Sequence, residues 1–293
     1  MNEQFFALLR YRNTRNLGDE IQSIAARQFL PRVDGLIDRD RLEISGRRKH
    51  ANFKLILNGW HSHSPERWPP PPNIEPLITS FHITDIRDRN GQHPEEILVQ
   101  PGNARYLRAH GPVGARDLWT AELLSRHEIP NYFSGCLTLA LEERRQERQN
   151  YVCVNDLSRS LGDAIGRSTS WRVVRTTHYY RHSLGFAYRM RKAERLLRLY
   201  ASAQCVVTSR LHCALPCLAF GTPVLFVPDK PGDARYRGLL GLLRTCSASA
   251  IASRAADFDF AAPPPNLDTY KPLRALLIRQ CREFTGWPPQ TEW

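Results

Sequence analysis

The chain has 293 residues, 42% of them hydrophobic and 24% charged, and its 41 basic and 29 acidic side chains leave a net charge of +12. That balance describes a globular protein of one large or two ordinary domains. The basic excess points to an anionic partner: a phosphorylated small molecule, a membrane surface or nucleic acid.

The first apolar run, 5–9, reads as a strand. It is too short to cross a membrane and lacks the charged start and cleavage pattern of a signal peptide, so the cytoplasm is the expected compartment. Arg15-Asn-Leu-Gly-Asp-Glu20 follows. Asn16 and Gly18 suit a tight turn. A helix is expected over 18–29, where Ile21, Ile24, Ala25 and Phe29 recur at helical spacing before Pro31. Asp19 and Glu20 then fall in its first turn, where capping against the helix dipole and a functional role are equally good readings. The spacing lacks GxGxxG and is no dinucleotide fingerprint.

Residues 54–57 form a short strand ending in Asn58-Gly-Trp-His61, the proline-rich stretch 64–76 is a loop, and 77–83 is another strand. His61 and His82 both follow strands, and each suits either a ligand site or an ordinary packed position. Residues 113–115 lead into Arg116 and a helix over 117–126. Asp117 reads as its N-cap. Arg116 suits either a structural ion pair or a bidentate grip on phosphate or carboxylate. In Phe133-Ser-Gly-Cys-Leu-Thr-Leu139 no base accompanies the Ser or Cys, so a tight turn is the better reading than a nucleophile.

The charged segment 142–150 reads as a linker, and its basic run 144–148 as a solvated face. It divides the chain into an N-terminal unit, 1–145, and a C-terminal unit, 146–293. The second unit opens with a strand at 151–154, a helix, and a strand at 171–174. Thr177-His-Tyr-Tyr-Arg-His182 is either an exposed loop or a cover over an anionic or sugar ligand, since aromatics stack on sugar faces and Arg181 pairs with anions. A helix over 186–202 turns Leu196, Leu197 and Leu199 inward.

The most informative stretch begins at 205. Residues 205–207 are strand-like, 211–220 read as a buried helix, Gly221-Thr-Pro223 is a turn and 224–227 is the next buried strand. Arg210 and His212 therefore fall where a strand becomes a helix. Ligands bind at such carboxyl ends in open α/β sheets, and a helix N-terminus there favours anions. A closing helix is expected over 268–284. The seven cysteines form no CxxC pair and several lie in apolar runs, which points to reduced, buried thiols. Cys213 and Cys217, one helical turn apart, fit core packing better than a metal pair. HExxH, P-loop and Ser-nucleophile elbow motifs are missing, so neither a metal nor a cofactor is indicated.

In order along the chain, Asn16-Leu-Gly-Asp-Glu20, Gly114-Ala-Arg-Asp117, Ser134-Gly-Cys-Leu-Thr138, Ser209-Arg-Leu-His212 and Gly221-Thr-Pro223 resemble the motifs of the polysaccharide pyruvyl transferase family. Asn58-Gly-Trp-His61 departs from the glycine run that the family often has. The resemblance implies a GT-B-like α/β fold, in which two Rossmann-like domains with parallel sheets face a central cleft. The N-terminal domain would take the acceptor and the C-terminal domain the donor. It implies phosphoenolpyruvate as donor and a sugar hydroxyl pair as acceptor, joined as a pyruvate ketal. On that basis Arg210, Arg116 and Arg181 are expected to hold the donor's carboxylate and phosphate. His212 is the expected general acid and Asp19 or Glu20 the group that takes or orients the hydroxyl proton. Asn16, Gly18, His61 and His178 are expected to line the substrate site. A lipid-linked acceptor would bring the basic surface to an anionic membrane face. Nucleic acid is not an expected partner, because only the charge speaks for it. Two other functions compete: a nucleotide-sugar glycosyltransferase, and a non-catalytic component of a polysaccharide assembly complex. The retained Arg116, Arg210 and His212 argue against the latter.

Overall fold

The computed structural model describes residues 4–12, 14–45, 50–88, 91–143, 146–180 and 185–287. The first unit holds β1 (Phe5–Arg10), α1 (Leu17–Arg27), β2 (Gly35–Asp38), β3 (Ile44–Ser45), β4 (Phe53–Trp60) and β5 (Ile74–His82). It continues through α2 (Pro94–Leu98), α3 (Pro101–Ala109), β6 (Val113–Ala115), α4 (Leu118–Arg126) and β7 (Asn131–Phe133). Its sheet runs β3-β2-β1-β4-β5-β6-β7, parallel except for the β2–β3 pair.

The second unit holds β8 (Tyr151–Asn155), α5 (Arg159–Gly166), β9 (Arg172–Thr176), α6 (Phe186–Ser202), β10 (Cys205–Thr208), α7 (Leu211–Ala219) and β11 (Val224–Phe226). β12 (Arg244–Thr245), α8 (Ala248–Ala252) and α9 (Lys271–Thr285) complete it. Its sheet is all parallel, in the order β12-β11-β10-β8-β9. The protein is thus two parallel-sheet α/β domains, the GT-B-like class expected. Each sheet has a point where strand order reverses, between β1 and β4 in one and between β8 and β10 in the other. Ligands bind outside the strand ends at such points.

The near-continuous apolar runs of β4, β8 and β10 follow from burial on both faces. One hydrophobic core joins the two sheets: Leu8 and Ile24 from the first domain pack in the same cluster as Leu197, Val206 and Leu215 from the second. Burial of this surface, at about 25 cal/mol per Å2, fixes the domains against each other. A buried ion pair crosses the junction between α1 and α6, with Arg189 Nε 2.7 Å from Glu20 Oε1.

Two expectations need correction. The stretch 64–76 is not all loop, because its last three residues begin β5. Pro76 is tolerated there: it pairs with Leu55 of β4, while β6 joins β5 only at Phe81. Arg148 is no solvated charge; it donates to the carbonyls of Ala201, Ala203 and Gly221 and to Thr222 Oγ1, tying the ends of α6 and α7 together. The closing helix α9 crosses back onto the first sheet, where Gln280 Oε1 accepts from Tyr132 Oη at 2.7 Å and the Phe284 carbonyl accepts from Lys54 Nζ at 2.8 Å. All seven cysteines are free thiols, six of them buried. Among the described residues no helix is long and apolar enough to cross a membrane.

Candidate active site between the two sheets

The strand ends of both domains converge on a cavity of about 100 Å3 lined by Asn16, Asp19, Gln22, Trp60, Arg116, His178, Ser209, Arg210, Leu211, His212, Arg235 and Tyr236. Local sequence explains how each wall is held. Asn16 is extended and caps α1, its Oδ1 accepting from Gly18 N at 3.0 Å. Asp19 thereby stands on the first turn, facing the cleft. β4 slips register after Leu57, and Gly59 adopts φ +99°. This irregularity re-aims the strand end, as β-bulges do, and carries Trp60 to the cavity. Loop 177–180 bridges the domains: His178 O accepts from Leu17 N at 2.9 Å, and Arg15 O accepts from Tyr180 N at 3.2 Å.

On the second domain, Arg210 is the extended residue before α7, and no side chain caps that helix. The leading N–H groups of α7 are therefore open toward the cavity, where the helix dipole favours negative charge. Arg210 Nε lies 3.3 Å from Asp156 Oδ2, with its guanidinium 4.7 Å above the Tyr179 ring. Across the cleft, Arg116 is 4% exposed and its Nη2 has no partner among the described residues. A buried guanidinium with an unused donor is costly unless a ligand accepts from it. The third cation, Arg235, is held by Asp233 through a 2.5 Å contact.

Arg116 is set in place by a buried Asp–His pair. Asp117 Oδ1 caps α4 through Thr120 N at 3.0 Å, while its Oδ2 accepts from His82 Nδ1 at 2.6 Å and lies 3.4 Å from Arg116 Nε. Burial works against ionisation of Asp117, but His82, Arg116 and the Thr120 N–H outweigh it and hold the carboxyl below its ordinary range. Burial and then Arg116 keep His82 neutral by pushing its pKa down.

His212 occupies the first turn of α7 beside Gly18. A Cβ at position 18 would come within 2.9 Å of His212 Nδ1, so only glycine lets the ring lie where it does. Burial, followed by the positive potential of Arg116 and its neighbours, pushes the His212 pKa well below the ordinary histidine value. The free site therefore presents a neutral imidazole.

The structure thus brings Asn16, Asp19, Arg116, His178, Arg210 and His212 to one cavity. Gly18 lies behind His212 as a spacer. His178 is 1% exposed, its Nε2 is 3.0 Å from Tyr200 Oη, and burial pushes its pKa down to about 4, so it shapes the wall as a neutral group. Two predicted residues lie elsewhere. Glu20 is fully buried in the pair with Arg189, because position 20 shares the inward face of α1 with Ile24. His61 is buried between Phe81 and Trp68, at centroid distances of 5.4 and 5.7 Å, where burial pushes its pKa down to about 3. Arg181 lies outside the described residues. Sequence reasoning missed Arg235, Gln22, Trp60 and Tyr236. Trp60 follows a predicted strand directly and could have been found by that position. Arg235 stands on a single 3-10 turn, Ala234–Tyr236, where no junction of strand and helix marks it.

Three arginines, two histidines and a carboxylate therefore meet in the cleft of a two-domain α/β protein. The polysaccharide pyruvyl transferase family model matches residues 103–231, a span that includes Arg116, Arg210 and His212 and leaves out the 16–20 motif. No curated protein matches the chain. Solved structures that match the chain include a functionally uncharacterised protein from Klebsiella pneumoniae, 13% identical over 80% of this chain and 87% of that one, with a TM-score of 0.44. The glycosyltransferase SnogD from Streptomyces nogalater is 12% identical, covering 98% of this chain and 96% of that one at a TM-score of 0.37. The E. coli heptosyltransferase WaaC is 11% identical, covering 85% and 97% at 0.29.

Proposed function

We propose that the protein transfers the enolpyruvyl group of phosphoenolpyruvate to a pair of sugar hydroxyls, forming a pyruvate ketal and releasing phosphate. The observation that carries this reading is the convergence of Arg116, Arg210, Arg235, His212 and the uncapped start of α7 on one small cavity. Its volume of about 100 Å3 lies well below the roughly 300–1,000 Å3 of sites for larger organic ligands. Phosphoenolpyruvate carries both a carboxylate and a phosphate, and the arginine forks and helix N-terminus suit both groups.

The reaction needs a proton at C3 of the donor, which leaves an oxocarbenium-like C2. His212 is neutral in the free site, but the bound polyanion reverses the local potential and raises its pKa, so the acid forms when the donor is in place. One acceptor hydroxyl attacks C2 and gives its proton to Asp19. The C2–O bond to phosphate then breaks, the second hydroxyl closes the ketal, and His212 recovers a proton. Of the two hydroxyl protons, one is balanced by the new methyl group and the other leaves with phosphate. Arginines and the α7 dipole stabilise the departing phosphate. The net charge of +12 supports work on a lipid-linked acceptor at an anionic, cytoplasmic membrane face.

Ligand-induced thermal stabilisation tests the donor assignment. Phosphoenolpyruvate should raise the melting temperature of the native chain and fail to do so with Arg210→Ala or Arg116→Ala. Stabilisation by a nucleotide sugar alone would instead make the protein a glycosyltransferase.

A further inference from the structure

β8 ends where the strand order of the second sheet reverses, and Asp156 is the residue that follows it. Its backbone is left-handed, at φ +51°. Few residues other than glycine adopt that conformation, and where one does the surrounding contacts must hold it. Those contacts are specific. Asp156 Oδ1 accepts from Thr177 Oγ1 at 2.5 Å, while Oδ2 accepts from His178 N at 3.0 Å and from Arg210 Nε at 3.3 Å. Its carbonyl accepts from Ser209 Oγ at 3.0 Å, and its N–H donates to Thr176 O at 3.1 Å. One residue therefore ties the loop after β9 to the arginine at the head of α7. The Asp156 side chain is 7% exposed against 28% for Arg210, so the arginine lines the cavity while its anchor is set back from it.

The same loop reaches the first domain. His178 O accepts from Leu17 N, Tyr179 pairs with Asn16 in an antiparallel bridge, and Tyr180 Oη donates to Thr14 O at 2.8 Å. Tyr179 also carries the Arg210 guanidinium over its ring. Arg210 is thus held between Asp156 and Tyr179, and both holders belong to the frame that meets the first domain at residues 14–17, beside Asp19.

We infer that Asp156 is the positioning residue of the donor site. It fixes Arg210 at the cavity and, through loop 177–180, sets it in register with the first-domain wall that carries Asp19 and Arg116. The inference deepens the pyruvyl-transfer reading and rests on it. An arginine free to swing must be ordered each time the anion binds, which costs affinity. One charge-assisted hydrogen bond and one aromatic face order Arg210 beforehand.

Two variants separate the hydrogen bonds from the backbone. Asp156→Gly keeps the left-handed conformation without strain and removes all three bonds made by the carboxylate. Asp156→Asn also accepts that conformation and keeps an oxygen for His178 N and Arg210. Calorimetric titration of the whole chain with phosphoenolpyruvate should show affinity roughly tenfold lower in Asp156→Gly, the loss of one hydrogen bond to a charged group, with most of it recovered in Asp156→Asn. In the ligand-free chain the Nε–H resonance of Arg210, identified by its absence from Arg210→Ala, should shift in Asp156→Gly. The amides of Leu17 and Tyr180 should exchange roughly tenfold faster there, while those of Leu215 and Leu218 in α7 keep parental rates. Parental phosphoenolpyruvate affinity in Asp156→Gly, or equal losses in the two variants, overturns the inference and leaves the donor reading standing. If phosphoenolpyruvate fails to bind even the parent, the donor reading falls and the ligand-free measurements decide the positioning role. A shifted Arg210 resonance with faster Leu17 and Tyr180 exchange then upholds it, and parental values overturn it.

Discussion

Glu20 offers a sharp separation of catalytic from structural roles, because its neighbour Asp19 faces the cavity while it does not. Burial pushes its carboxyl up to about 7, even though the charge and hydrogen bond of Arg189 pull the other way. An unfolded glutamate titrates at about 4.3. Below that pH both states hold the proton and the group contributes nothing. Between about 4.3 and 7 the folded chain holds a proton that the unfolded chain has lost, so stability falls as pH rises. Above 7 the cost is complete, at about 4 kcal/mol. Glu20→Gln removes this titration while keeping the shape and an oxygen for Arg189. The variant should match the parent near pH 4.5 and exceed it by about 4 kcal/mol at pH 8. With an unfolding entropy of about 2.1 cal/mol/K per residue, that is a melting temperature about 6 °C higher. Turnover per folded molecule should be unchanged. Melting curves at both pH values and a phosphate-release assay decide it. A variant equally destabilised at both pH values would refute the titration argument, and one that folds normally but loses turnover a hundredfold would return Glu20 to the catalytic residues.

Gly18→Ala should fold and yet lose turnover by roughly a hundredfold, because the added Cβ displaces His212 and small misplacements of a reacting group are that costly; unchanged phosphate release would sink the spacer role. Gly114→Ala should lower stability by about 1–3 kcal/mol through overpacking against Tyr132 Oη at 2.7 Å and the Thr79 Cα at 3.0 Å, as read by chemical denaturation. Asp117→Asn keeps an N-cap for α4 but loses the carboxylate that orients His82 and Arg116. It should raise KM for phosphoenolpyruvate more than it lowers kcat, and steady-state kinetics with the opposite split would refute a positioning role. His212 is held neutral in the free site, so phosphoenolpyruvate binding near pH 6.5 should take up a proton in the parent and none in His212→Gln. Binding enthalpies in buffers of different ionisation enthalpy measure that uptake.

The long, alternating elements were legible because burial on both faces of a parallel sheet leaves plain apolar runs, as in β4, β8 and β10. The two sheets take their strands from either side of 142–150. What stayed hidden was short or non-local. β2, β3, β7, β12, α2, α3 and α8 span two to nine residues each and carry too little pattern to stand out. The return of α9 to the first sheet depends on Lys54 and Tyr132, more than a hundred residues earlier. Strand-to-helix junctions brought Arg116, Arg210 and His212 to notice in the sequence, and all three line one cavity. Glu20 was misread for a related reason: both acidic residues suit a first helical turn, and only the helical phase, with Glu20 one turn before the buried Ile24, separates them.

The charge arrangement also sets an order on the chemistry. An imidazole surrounded by Arg116, Arg210 and Arg235 is a poor acid until something neutralises those cations. On the pyruvyl-transfer reading, the donor's two anionic groups would do so, and its binding would create the acid that protonates its own double bond. Asp19 lines both this cavity and a neighbouring one on the first domain. On the pyruvyl-transfer reading, His212 gains its proton as the donor binds, and Asp19 is the carboxylate that takes the hydroxyl proton. This division explains why a cleft so rich in arginine holds a neutral histidine. On that reading the extra positive charge is matched to a donor that brings its own negative charge, and the proton for C3 arrives with it.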